Sequence, residues 1–162
     1  MGDRINNMKE YSLNLKNYSK DIYSGHLKLG GTHPSGDRIS FTNYFMELNG
    51  NPYFAVCGEF HYSRYDRNRW EDELVKIKMC GVNIIASYIF WNHHEEKKGT
   101  FEWEGNKNLR HFIELCKKHG LLAIIRIGPF CHGEARNGGL PDWLHGQAYE
   151  VRSNDEGYLF HV

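Results

Sequence analysis

One segment near the C-terminal end of the chain carries residue types suited to binding a polar ligand. Residues 121–127 form an apolar run broken only by Arg126, and a Gly-Pro pair follows it. The carboxylate of Glu134 then comes between His132 and Arg136. A buried parallel strand is a near-continuous apolar run, and ligands bind just beyond the carboxyl ends of such strands. The sequence therefore predicts that Glu134 meets a ligand.

The charge balance of the chain narrows the kind of ligand. Lys+Arg and Asp+Glu both number 20 in the 162 residues, so the formal net charge is zero. Nucleic-acid and anionic-membrane binding usually need a basic patch, and neither partner is predicted. The aromatic fraction of 14% suits an uncharged carbohydrate better. Residues 1–20 are polar and lack a secretory signal, and no run could span a membrane, so a cytoplasmic location is expected.

Metal and disulfide chemistry find little support. The four cysteines are widely spaced and form no Cys-x-x-Cys pair, so free thiols are predicted and two disulfides are the less favoured alternative. The run His93-His94-Glu95-Glu96 has adjacent side chains, which would point to opposite faces of a strand. It is predicted to be a solvated loop. We expect no metal and no other cofactor.

The elements that must position this segment alternate along the chain. Residues 1–38 are predicted to be an irregular lead-in, followed by strands at 41–48 and 53–60 around a turn at 49–52. Apolar spacing and terminal glycines then predict one helix that ends at Gly81 and a second helix at 108–119. Strands are predicted at 82–91 and 121–127. A third helix is predicted to begin within 155–162.

The resulting β-α-β-α-β pattern fits two architectures. A dinucleotide-binding doubly wound sheet needs G-x-G-x-x-G after its first strand, but the junction 58–64 has one glycine. The pattern therefore favours an α/β fold that is a partial TIM (β/α)8 barrel, with about the first three β/α units preceded by a β-hairpin. A whole barrel needs roughly 250 residues, so the chain is either a piece of a longer protein or completes its sheet with a partner.

Several motifs occur in a consistent order at these junctions. They are Gly58–Arg64, Gly81–Asn83, Ser87–Glu95, Gly128–Phe130 with Glu134, and Gly138–Leu144. In this order and spacing they resemble glycoside hydrolase family 35, the β-galactosidases and their relatives. The resemblance covers about 41–162 and leaves out 1–38. It implies that 39–162 is the N-terminal portion of a catalytic (β/α)8 domain.

The resemblance implies hydrolysis of terminal non-reducing β-D-galactosyl groups, or close analogues, with retention of configuration. The two catalytic glutamates of the family lie at the ends of strands four and seven, so no catalytic residue is expected in this chain. The family's sugar-binding positions match the side chains of Tyr88 and Glu134 and the backbone of His132 and Gly133. A carboxylate suits this role because charge-assisted hydrogen bonds to hydroxyls are about twice as strong as neutral ones.

Two departures from the family pattern bear on which sugar is bound. The family usually has Cys-Ala-Glu-Trp or Asn-Ala-Glu around the glutamate, whereas residues 132–135 are His-Gly-Glu-Ala. Phe90 stands where proline is common. These differences concern galactose specificity more than the reaction class.

Other interpretations of the same residues stay open. Glu134 could be a structural carboxylate paired with Arg126 or Arg136, and Tyr88 could be a core aromatic. For Arg126, inside a strand, a paired structural role is favoured because an unpaired buried charge is costly.

Other functions also stay open. The chain could be a truncated, non-catalytic product that at most binds sugar. A metal-dependent barrel hydrolase is a weaker alternative, because such enzymes need His-x-His after strand one and Ser63 occupies the third position.

Overall fold

The computed structural model describes residues 9–14 and 21–162 of the chain. It divides the chain into two compact units, Met1–Phe54 and Ala55–Val162. Part of the predicted lead-in, residues 1–8 and 15–20, lies outside the described residues. No helix in the described ranges is long and apolar enough to cross a membrane.

The first unit contains an antiparallel sheet in sequence order. Its strands are β1 (Gly31–Thr32), β2 (Arg38–Phe41), β3 (Met46–Leu48) and β4 (Asn51–Tyr53). The predicted hairpin is confirmed, because β3 and β4 pair around Asn49 and Gly50, whose φ angles of 53° and 76° suit a tight hairpin turn.

Two predicted strands are wrong in their extent. The predicted strand 41–48 is interrupted by a turn, in which the hydroxyl of Thr42 accepts hydrogen bonds from the backbone of Tyr44 and Phe45. The predicted strand 53–60 is split, because its first part pairs in β4 while Val56 bonds to Asn83. The side chain of Asn83 accepts from the backbone N–H of Val56 at 2.9 Å, which aligns the next strand with a different sheet.

The second unit is a mixed α/β structure. Its strands are β5 (Cys57–Glu59), β6 (Ile84–Tyr88) and β7 (Leu122–Arg126), which form a parallel sheet in that order. Its helices are α1 (Trp70–Met79), α2 (Trp91–His94), α3 (Leu109–Lys118) and α4 (Glu156–Leu159). Because α1 and α3 connect successive strands, the predicted β-α-β-α-β order is confirmed.

Local signals explain where the two long helices start and stop. Asp66 accepts a hydrogen bond from the backbone of Asn68 at the turn before α1, and Asn108 caps α3. Gly81 and Gly120 follow the helices with φ angles of 88° and 65°. Glycine adopts this left-handed conformation without strain, so each helix ends there.

The two faces of the parallel sheet differ in character. One face packs against α1 and α3 in a core that includes Trp70, Leu74, Ile85, Phe112 and Leu115. The other face carries apolar side chains such as Ala86 and Ile124 along its length and polar ones only at the C-terminal ends of the strands. The strand ends are therefore where polar groups collect.

Candidate functional site

A compact polar cluster lies at the C-terminal ends of the three parallel strands. The guanidinium of Arg126 lies 2.7 Å from the carboxylate of Glu59, and its central carbon lies 3.7 Å from the ring centroid of Tyr88. The ring of His61 stacks on Tyr88 with centroids 5.4 Å apart, and its Nε2 lies 2.9 Å from Glu59. The predicted paired role of Arg126 is confirmed, and its partner is Glu59.

The protonation of His61 follows from these contacts. Burial lowers the pKa of His61 below its ordinary value, and the nearby carboxylate of Glu59 only partly opposes this effect. The neutral ring carries its proton on Nε2, which donates to Glu59, and Nδ1 faces the backbone N–H of Tyr88 at 3.4 Å. Nε and Nη2 of Arg126 make no aligned hydrogen bond with a described residue, so charge and ring stacking hold the guanidinium.

Glu134 is presented to solvent by the loop that follows β7. Its side chain is 90% exposed, and its backbone has a left-handed φ of 48°. Arg126 pairs with Glu59, and Arg136 pairs with Asp142 at 3.0 Å. Neither arginine therefore neutralises Glu134. The nearest recorded cation is Arg64, whose Nη1 lies 3.9 Å from Oε2 of Glu134. The carboxylate is therefore available to accept hydrogen bonds from a ligand.

The backbone just before Glu134 rests on the sheet. Gly133 is buried, and its carbonyl accepts a hydrogen bond from the guanidinium of Arg64. That guanidinium also lies over the ring of Phe90, 5.2 Å from the centroid. A Cβ at Gly133 would lie 2.7 Å from Cζ of Phe90 and 3.0 Å from Cδ2 of Tyr88. A side chain at Gly133 would therefore require the ring of Phe90 to shift.

The structure thus brings the predicted side chains and backbone groups into one small region. Gly133 lies directly against Tyr88, and Glu134 follows Gly133 at the surface. The side chain of His132 is exposed and points its ring edge-to-face at Phe130, with centroids 5.1 Å apart. Only its backbone was predicted to serve the site.

Arg64 is the residue that the sequence interpretation missed. It contacts Gly133 and Glu134 from 69 and 70 positions earlier in the chain. The available signal was its position directly after the first core strand, where ligand-facing residues collect. It also lines a neighbouring cleft of about 560 Å³. The other residues that line this cleft are Ser63, Phe90, Asn92, His93, Glu96, Ala135, Arg136, Pro141 and Asp142.

The described residues contain no group of three His, Cys, Asp or Glu side chains that could hold a metal ion. The four cysteines are free, as predicted, with Cys116 and Cys131 buried. Burial raises the pKa of the Cys116 thiol to about 11, which keeps it protonated and unreactive at neutral pH.

Comparison with known proteins agrees with this arrangement of strand-end motifs. The profile of the family described as "Glycosyl hydrolases family 35" matches residues 45–162. The chain belongs to this family, so the resemblance drawn from the motifs is confirmed.

Curated relatives include several named β-galactosidases. The chain is 44% identical over 115 residues to "Beta-galactosidase" of Mus musculus and 41% identical over 118 residues to that of Bos taurus. It is 35% identical over 116 residues to "Beta-galactosidase-1-like protein 3" of Mus musculus. These matches cover 70%, 72% and 71% of the chain but 18% of each relative.

Proposed function

We propose that this chain forms the first three β/α units of a (β/α)8 glycosidase barrel and holds the terminal sugar of a β-galactoside. The family supports the barrel. So does the parallel β5-β6-β7 sheet, because α1 and α3 cover one of its faces and its strand ends carry polar side chains. The names of the curated relatives support the galactoside.

The observation that carries the sugar-binding role is the exposed carboxylate of Glu134, which directly follows Gly133, the residue that lies against Tyr88. A carboxylate can accept two hydroxyl hydrogen bonds, and the pair with Arg64 at 3.9 Å leaves the side chain of Glu134 90% exposed. Because Arg126 and His61 pack on the ring of Tyr88, this tyrosine would offer the sugar its phenol hydroxyl. A site built on such bonds rejects analogues that lack the hydroxyl, because its polar groups are then left unpaired.

Cleavage of the bond needs groups beyond those at this site. Retention of configuration requires two carboxyl groups about 5–5.5 Å apart, one as nucleophile and one as acid and base. Glu59 is held by Arg126 and His61, which suits it to support rather than to attack. The family resemblance assigns the catalytic pair to later strands, so this chain by itself would bind the sugar without hydrolysing it.

Binding of methyl β-galactoside to the 162-residue chain tests this proposal. Calorimetric titration should show saturable binding, and Glu134→Gln should weaken it about tenfold or more, since a hydrogen bond to a charged group contributes about 1.5–3 kcal/mol. Glu114→Gln on α3 is the matched control and should leave the affinity unchanged. Equal affinity of the wild type and Glu134→Gln would contradict the role of Glu134.

An aryl β-galactoside tests the second part of the proposal. The isolated chain should release no aryl alcohol, whereas a longer protein that includes the later strands should do so. Turnover by the purified chain would show that a catalytic pair lies within these 162 residues.

A further inference from the structure

A buried carboxylate outside the polar cluster joins the loops that follow β6 and β7. Glu95 is 4% exposed, and one oxygen of its carboxylate accepts a hydrogen bond from the indole N–H of Trp91. The other oxygen accepts from the backbone N–H of Gly99 at 2.6 Å. The main-chain carbonyl of Glu95 accepts from the indole N–H of Trp143 at 3.1 Å. One residue therefore binds two tryptophans, one in α2 and one in the segment that follows β7.

The two indole rings also contact each other. Trp91 and Trp143 meet edge to face, with centroids 5.6 Å apart and planes at 84°. The ammonium group of Lys98 lies 5.3 Å from the Trp143 ring centroid and adds a cation–π contact. Among the described residues, Glu95 takes part in no ion pair. Burying a carboxylate without a cation is costly unless donors satisfy it, so these hydrogen bonds must hold it in one place.

The anchored loop leads directly to Glu134. Trp143 lies next to Asp142, whose carboxylate accepts from the side chain of Asn137 at 2.8 Å and pairs with Arg136 at 3.0 Å. Arg136 and Asn137 follow Glu134 by two and three positions. Movement of Trp143 would therefore be transmitted to the backbone that presents Glu134.

A second contact joins the same two loops. The side chain of Asn92, in α2, donates to the backbone carbonyl of Arg136 at 3.2 Å. Within the described residues the loop after β7 is thus hydrogen-bonded to the segment after β6 at two places, Arg136 and Trp143. Glu95 accepts the more buried of these two bonds, and Asn92 donates the exposed one.

We propose that Glu95 is a positioning residue for Glu134, which it orients through Trp143 without contacting the ligand. Its effect on sugar affinity rests on the proposed function. The link between the two loops does not rest on the proposed function, because it can be measured without any ligand.

Hydrogen exchange and the indole signals of the ¹⁵N-labelled chain test the proposal. Glu95→Gln should move the indole N–H signal of Trp91 upfield, because an amide oxygen is a weaker acceptor than a carboxylate. Amide exchange at 134–137 should speed up about tenfold, while exchange in α3 should not change. Trp143→Phe keeps an aromatic ring but removes the donor, and it should reproduce the faster exchange at 134–137.

Glu96→Gln is the matched control, because Glu96 is the exposed neighbour that pairs with Lys107. It should change neither the exchange at 134–137 nor the indole signals. Unchanged exchange at 134–137 in both Glu95→Gln and Trp143→Phe would overturn the proposal. So would equal acceleration in α3, which would indicate a general loss of stability.

Sugar titration then separates this inference from the proposed function. Methyl β-galactoside should bind Glu95→Gln several-fold more weakly than the wild type. If the wild-type chain binds no galactoside, the proposed function fails, and the exchange data still decide whether Glu95 holds the loop. If Glu95→Gln loosens the loop but keeps wild-type affinity, positioning of Glu134 by Glu95 is refuted.

Discussion

The phenyl ring of Phe90 occupies the space that a side chain at Gly133 would need. The distance from an ideal Cβ at Gly133 to Cζ of Phe90 is 2.7 Å, which is shorter than real Cβ contacts. The resembled family commonly has proline and alanine at these two positions. This chain combines a larger residue at 90 with a smaller one at 133, so the two volumes compensate.

Replacement of Gly133 by alanine should lower the free energy of unfolding by about 1–3 kcal/mol, the usual effect of overpacking. Phe90→Leu in the same chain should recover part of that loss because it removes the atoms nearest to the new methyl group. Urea unfolding followed by tryptophan fluorescence measures both effects. Simple additivity of the two single changes would mean that Phe90 does not define the space at Gly133.

Arg126→Lys should weaken galactoside binding although it keeps the charge. Lysine cannot present a flat guanidinium to the ring of Tyr88, and the lost cation–π contact contributes about 0.5–2 kcal/mol. The expected result is a melting temperature lower by a few degrees, together with a several-fold higher Kd for methyl β-galactoside because the ring of Tyr88 is held less firmly. Arg110→Lys, at an exposed position of α3, is the control. An unchanged Kd would show that the stacking of Arg126 on Tyr88 does not affect ligand binding.

Glu71 should make the packing of α1 against α3 sensitive to acid. Hydrogen bonds from Lys118 and then from His119 lower the pKa of Glu71 below its ordinary value of 4.5. Because the folded pKa is the lower one, this stabilisation is complete above about pH 4.5 and is lost as the pH falls through the folded pKa. The difference in melting temperature between wild type and Glu71→Gln should shrink in that range. Asp72→Asn, on the same helix, should show no such trend.

His94 should add a second acid-sensitive contact at higher pH. Its Nδ1 lies 2.9 Å from the carbonyl of Glu102 and donates to it, and its Nε2 accepts from the hydroxyl of Tyr62 at 2.6 Å. Burial lowers the pKa of His94 below 6.5, so the neutral ring is the form that the fold stabilises. This contribution is complete above about pH 6.5 and is lost as the pH falls through the folded pKa.

Replacement of His94 by leucine should lower the free energy of unfolding by about 1–3 kcal/mol at pH 8, because the buried phenol of Tyr62 loses its acceptor. The difference in the free energy of unfolding between wild type and this variant should narrow as the pH falls below about 6.5. Urea unfolding at several pH values measures it. The exposed His145→Gln provides the control, and a pH-independent difference would exclude protonation of His94 as the cause.

The sequence predicted those elements whose signals are local. The helix ends at Gly81 and Gly120 and the hairpin at Asn49 depend on the residues at the turn itself. The break after Tyr53 could not be seen, because it results from a bond between Val56 and Asn83, 27 positions later. Local patterns do not reveal which distant backbone groups will pair.

The candidate site was predicted to a similar extent. The strand-end argument identified the position of Glu134, because ligands bind beyond the carboxyl ends of parallel strands, and the family resemblance identified Tyr88. The pair Glu59–Arg126 and the contact from Arg64 to Gly133 depend on strand register and on loop paths, which no local pattern specifies. For the same reason the depth of Glu95 was missed, and its motif was interpreted as a solvated loop.

The left-handed backbone at Glu134 favours one residue type for stability and another for ligand binding. A residue other than glycine or asparagine at a φ of 48° is strained by about 1 kcal/mol. Asparagine there should therefore raise the melting temperature while it removes the exposed carboxylate. Selection of variants for heat resistance alone would be expected to replace Glu134, and selection in the presence of ligand would be expected to keep it.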